Sequence, residues 1–198
     1  MFCARRRHEI SSLCRWVGHV PGDGESRCRK VLIMKVFISA TCEDLNEDCR
    51  PAAVAAIEAK KAEPVDMTTR GWTATYQPPW EECQQKIETA THYVGIFAFW
   101  RGWVPPEDTK ERSITEAEFD YALARKDKQN IAVYLPEQGS EIEKELLTRT
   151  HKMLEDKEDK EAAQAEFSAQ EKFLQRVLNS GTVNFFSASW DLAVRVSN

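Results

Sequence analysis

The chain has 198 residues, enough for one domain, and its 42% hydrophobic and 30% charged content is that of an ordinary globular protein. No run approaches the ~18–20 apolar residues that a membrane helix needs. The net charge of −5 is uneven: residues 1–33 carry a net +4 and the remainder −9, so the acidic body disfavours a nucleic-acid partner.

The six cysteines form no C-x-x-C pair, and no Cys/His set has zinc-ligand spacing, so no metal site is expected. The N-terminus lacks the apolar h-region of a secretory signal. Free thiols in a reducing cytoplasm are the expectation.

Residues 1–33 show no sustained period. Three readings stay open: a basic disordered extension, upstream sequence from a misplaced start with Met34 as the natural initiator, or a functional basic arm. In each, the folded domain spans 34–198.

Residues 35–39 are a short apolar run, read as a buried first strand. Residues 41–50 read as a polar turn with a first helical turn. Pro51 then opens a run of helix formers, at a position where its missing N–H costs nothing. Residues 63–67 read as a short second strand at the sheet edge, where Pro64 is tolerated. Residues 68–79 form a loop containing Trp72 and Tyr76. The next helix, 80–90, places Cys83, Ile87 and Ala90 on one face, toward the sheet.

Residues 92–99 are continuously apolar and read as a central strand buried on both faces. A long loop follows, then a helix over 113–126 and a fourth strand over 130–135. Residues 141–180 form a charged helical region whose middle, 155–161, projects into solvent or breaks the helix. We expect this region to be a solvated excursion rather than an oligomer contact. Residues 183–186 make a fifth strand, and 187–196 a closing helix capped by Ser187 or Ser189.

Strand–helix alternation implies an α/β fold, a flavodoxin-like three-layer sandwich with a five-stranded parallel sheet in the order 2-1-3-4-5. Ligands of such sheets bind beyond the carboxyl ends of the strands, at the switch point beside strands 1 and 3. The loops 39–44, 68–79 and 99–113 converge there.

The sequence carries no G-x-G-x-x-G after the first strand, no Walker A loop, no G-x-S-x-G elbow and no H-E-x-x-H. The informative stretch is 113–123. Ser113 with Glu116 makes one capping box, and Thr115 with Glu118 makes another. If Ser113 caps, Glu118 is free and points toward the strand ends. If Thr115 caps, Glu118 merely closes the box.

Several segments together resemble the TIR-related family called domain of unknown function 4062. They are Val36-Phe-Ile-Ser-Ala-Thr-Cys-Glu-Asp-Leu45, Pro79-Trp-Glu-Glu-Cys83, Arg101-Gly102 and Ser113-Ile-Thr-Glu-Ala-Glu-Phe-Asp-Tyr-Ala-Leu123. The family's usual arginine-tyrosine-glycine after strand 3 appears here only as Trp100-Arg-Gly-Trp103. The segment from Glu118 to Leu123 is also similar to the catalytic helix start of TIR-domain NAD glycohydrolases and nucleoside deoxyribosyltransferases.

That resemblance implies a TIR-like fold and N-glycosidic chemistry, with Glu118 as the catalytic carboxylate and NAD or a nucleoside as candidate substrate. It places Ser39, Thr41, Asp44, Trp80, Arg101, Ser113 and Tyr121 around the substrate. Arg101 would meet a phosphate, and Trp72, Tyr76 or Trp80 would stack on a base. Structural duties compete: Asp44 as an N-cap, Trp80 as core or staple, Arg101 as a loop anchor, Glu116 as a cap partner. No cofactor is implied. Three functions follow: a nucleotide-processing enzyme, a non-catalytic module that signals by self-association, or a nucleotide-binding sensor without turnover. Related domains often precede NTPase modules, so any NTPase-type signalling partner would be a separate chain.

Overall fold

The computed structural model describes residues 33–66, 79–106, 108, 110–181 and 183–198. The strands are β1 (Lys35–Ala40), β2 (Glu63–Val65), β3 (His92–Ile96), β4 (Asn130–Pro136) and β5 (Val183–Phe186). The helices are α1 (Cys42–Leu45), α2 (Cys49–Ala59), α3 (Pro79–Thr89), α4 (Ile114–Ala124), α5 (Glu141–Glu155), α6 (Lys160–Leu178) and α7 (Ser189–Val196). The sheet is wholly parallel in the order β2-β1-β3-β4-β5, as the alternation predicts.

Side-chain alternation on the strands divides the core in two. Val36, Ile38, Val94 and Ile96 face Ala53, Ile57, Leu146 and Leu192 on one side. Phe37, Tyr93, Phe97 and Val133 face Ile87, Phe119, Phe173 and Val177 on the other. Cys83, Ile87 and Ala90 are all buried, which matches the face read from their spacing.

Boundaries differ where tertiary contacts decide them. β3 ends at Ile96, three residues before the apolar run does, because its ladder with β1 ends at Ala40. Beyond it, the Ala98 carbonyl accepts from Gln170 Nε2 at 2.6 Å. α2 starts at Cys49, which places Pro51 inside the first turn without a kink. α7 starts after Ala188, and no serine caps it. Instead the Asp191 carboxylate reaches back to accept from the Ser187 amide at 3.0 Å.

The charged region is two helices, separated at 156–159, and it is not a solvated excursion. α6 buries Ala163, Gln170, Phe173 and Val177. The Phe173 ring lies 5.1 Å from Phe97 and 5.9 Å from Phe119. Apolar residues spaced three and four apart make a stripe that the surrounding charges hide from composition. Among the described residues, no helix is long and apolar enough to cross a membrane.

Candidate functional site

Ser113 caps α4: its Oγ accepts from the Glu116 amide at 3.2 Å. Thr115 is therefore helical, and Glu118 has no capping duty. Glu118 lies one turn further along, only 4% exposed, with its side chain turned onto the end of β1. There the Ser39 hydroxyl donates to Glu118 Oε2 at 2.6 Å.

Glu118 is enclosed by neutral groups. The buried Cys83 thiol on α3 lies close enough to its carboxylate to favour the charged form. The Tyr93 hydroxyl faces Ser39 but, among the described residues, makes no hydrogen bond of good geometry. Gly95 makes this packing possible. A Cβ there would sit 2.6 Å from the Phe97 ring and 3.3 Å from the Tyr93 ring. Burial pushes the Glu118 carboxyl above the usual glutamate range, while Ser39, Cys83 and the charge of Arg50 pull it the other way. Burial and the adjacent Glu118 hold the Cys83 thiol far above an ordinary cysteine, so it acts as a donor.

Arg50 and Asp66 carry no mark in the sequence as site residues, yet they lie beneath the same strand ends. Arg50 is 2% exposed, Asp66 is fully buried, and Arg50 Nε lies 3.5 Å from Asp66 Oδ2. Arg50 Nη1 also donates to Cys42 Sγ at 2.7 Å. Nothing in the local sequence signals that Arg50, in the first turn of α2, is buried.

Asp44 is not an N-cap, since Thr41 holds that position on α1. The Asp44 carboxylate accepts from the Thr41 hydroxyl and, at 3.2 Å, from the Trp100 amide. It thereby ties the β1–α1 loop to the β3–α4 loop. Burial lifts its pKa to about 6 against these hydrogen bonds. The two loops touch again at Gly102, whose φ of +77° favours glycine and whose Cβ would lie 3.1 Å from Thr41 Cγ2.

The remaining predicted residues are placed less directly. Arg101 donates to the Glu111 carbonyl and lies 3.5 Å from Glu116, which also pairs with Arg176 Nη2 at 3.0 Å. Its guanidinium is thus committed to the loop. Trp80 is half-buried and meets Tyr121 edge-to-face at 5.8 Å, and the Tyr121 hydroxyl donates to Glu88 at 2.5 Å. Both aromatics belong to the α3–α4 seam. Trp72 and Tyr76 lie outside the described residues. Among the described residues no His, Cys, Asp and Glu cluster has metal-ligand geometry.

The arrangement gathers Ser39, Thr41, Asp44 and Glu118 at the carboxyl end of β1, with Ser113 capping the helix that carries Glu118; ligands of parallel α/β sheets commonly bind at such strand ends. A desolvated carboxyl held by neutral donors can give a proton, or stabilise a developing cation once ionised.

Comparison with known proteins adds two findings. Residues 35–198 match the model of the family described as Domain of unknown function (DUF4062). Among solved structures, the chain is similar to the TIR domains of the activated Roq1 resistosome that directly recognises the pathogen effector XopQ. The TM-score is 0.50 at 13% identity, covering 82% of this chain and 96% of that one. This likeness is one of fold. No curated protein matches the sequence.

Proposed function

This chain belongs to the family described as domain of unknown function 4062, and we propose that it is a TIR-like nucleotide-processing domain that cleaves the N-glycosidic bond of NAD or a nucleoside, with Glu118 as the reacting carboxylate. The observation that carries the reading is the buried Ser39–Glu118 hydrogen bond at the carboxyl end of β1. In its ionised form Glu118 would sit beneath the ribose C1′. The C1′–N bond breaks with its electron pair leaving on the base. The carboxylate stabilises the cationic sugar or captures it as an ester, and water then completes hydrolysis. Glu118 is nearly covered, so substrate entry requires the loops around it to part. The Asp44 carboxylate, which ties two of those loops together, is the contact that must break for them to part.

A second reading is a non-catalytic module that acts by self-association. It is favoured by the burial of Glu118, by exposed Phe185 on β5, which among the described residues is an edge strand, and by exposed Trp190 and Val194 on α7.

The test incubates wild type and Glu118→Gln with NAD and a set of nucleosides across protein concentrations. Released nicotinamide or base is measured together with molecular size. Turnover by wild type and its loss in Glu118→Gln support the enzyme. Concentration-dependent assembly with no release from either supports the signalling module.

A further inference from the structure

The core face packed by α2 and α7 does not close at the amino ends of the strands. Val36, His92 and Asn130 stand in register there across β1, β3 and β4, at the other end of the sheet from the Ser39–Glu118 bond. They line a cavity of about 440 Å³, a size usual for small-molecule sites. Its floor is apolar: Val36, Ile57, Val94 and Tyr134 are buried, and Val196 is half-buried. Exposed Lys60 and Arg195 stand at its rim. No Asp or Glu side chain is among the described residues that line it.

Cations at helix C-termini ordinarily answer the exposed carbonyls there. Lys60 is the C-cap of α2, and Arg195 lies in the last turn of α7. Those carbonyls already have partners. The Ile57 carbonyl accepts from the Lys60 and Ala62 amides at 3.1 and 3.3 Å, and the Glu58 carbonyl from the Lys61 amide at 2.8 Å. The Arg195 carbonyl accepts from the Tyr134 hydroxyl at 3.2 Å and from the Asn198 amide at 3.3 Å. The Lys60 ammonium has no partner among the described residues. Asp191 holds Arg195 Nε at 2.9 Å and leaves the two terminal nitrogens of that guanidinium open to a ligand. His92 is wall rather than ligand contact. Its Nδ1 lies 2.9 Å from Thr91 Oγ1 and its Nε2 3.1 Å from Asn130 Nδ2, so both ring nitrogens are engaged within the protein.

We propose that this cavity is a ligand site separate from Glu118, and that it takes a small carboxylate with an apolar body. The body covers the buried floor, where removal of apolar surface from water drives binding. The carboxylate stays at the rim, half in water, and meets Lys60 and Arg195. A head group held there keeps most of its hydration, so the attraction is not cancelled by the cost of burying a charge. The inference does not depend on Glu118 as a reacting group.

The experiment titrates the full chain with octanoate, 1-octanol and octylamine by calorimetry. The three probes share a body and differ in head charge. Octanoate should bind more tightly than either of the others. Lys60→Met should weaken octanoate about three- to five-fold and leave octanol unchanged, and Lys60→Arg should bind octanoate as wild type does. Ala132→Phe places a ring in the cavity and should abolish octanoate binding. If that variant fails to fold, Lys60→Met, a change on an exposed side chain, still decides. Glu118→Gln should bind octanoate as wild type does, whether or not wild type releases a base from NAD or a nucleoside. The proposal is overturned if octanoate does not bind, if octanol or octylamine binds as tightly, if Lys60→Met binds octanoate unchanged, or if a folded Ala132→Phe retains it.

Discussion

The Ser39 hydroxyl donates to Glu118 across 79 residues of sequence, joining the carboxyl end of β1 to the second turn of α4. Because that bond is buried, the pH behaviour of Glu118 is coupled to folding. Its folded pKa lies above the unfolded one, so the folded state takes up a proton more readily. Stability from this group is complete below the ordinary glutamate pKa and is lost as pH rises through the folded value. Glu118→Gln keeps an acceptor for Ser39 and removes the charge. Thermal melts across pH should show wild type losing stability relative to Glu118→Gln as pH rises above about 4.3.

Asp44 follows the same sign over a defined window. Its carboxyl rises from 3.8 to about 6 on folding. The protein should therefore lose roughly 3 kcal/mol from this group between those two pH values. Asp44→Asn should flatten that slope in chemical denaturation. The asparagine keeps one carbonyl oxygen for the Trp100 amide and can donate its NH2 to the Thr41 hydroxyl, so the loop tie survives the change.

Arg101 is engaged by Glu116 and by the Glu111 carbonyl. If it binds a substrate phosphate, that anion competes with Glu116. Glu116→Gln should then tighten binding of pyrophosphate or ADP-ribose by about five-fold, on the order of 1 kcal/mol, and Arg101→Ala should abolish the gain. Calorimetric titration of both variants reads this directly.

Gly95→Ala tests the packing under the site. Its new methyl would meet the Phe97 ring at 2.6 Å, and the ring is buried on every side. Overpacking of this kind costs about 1–3 kcal/mol, seen as a lower melting midpoint.

Phe173→Ala tests whether α6 belongs to the core. The ring is 2% exposed and packs on Phe97 and Phe119. Its loss should cost about 3–5 kcal/mol. A change under 1 kcal/mol in urea denaturation would show that α6 is dispensable.

Much of this architecture was legible in the sequence because it depends on local pattern. The alternation of apolar runs and helix formers predicts the strand order, and Ser113 three residues before Glu116 predicts the cap. Arg50 was not legible, since its burial depends on a partner sixteen residues away and on strands that close over both. α6 was hidden for a related reason: Phe173 and Val177 are few among many charges, and only contact with Phe97 and Phe119 reveals their face. The engagement of Arg101 depends on the Glu111 carbonyl across its own loop and on Glu116 of α4, neither of which spacing discloses.

Ser39 pairs with Gly95 in the β1–β3 register. A slip of one residue would turn Ser39 to the opposite face of the sheet and separate it from Glu118. The raised pKa of Glu118 is therefore absent from an unfolded or misregistered chain, where it is one ordinary glutamate among many. The buried setting of Glu118 thus exists only in the correctly assembled domain, and any loss of native packing removes it.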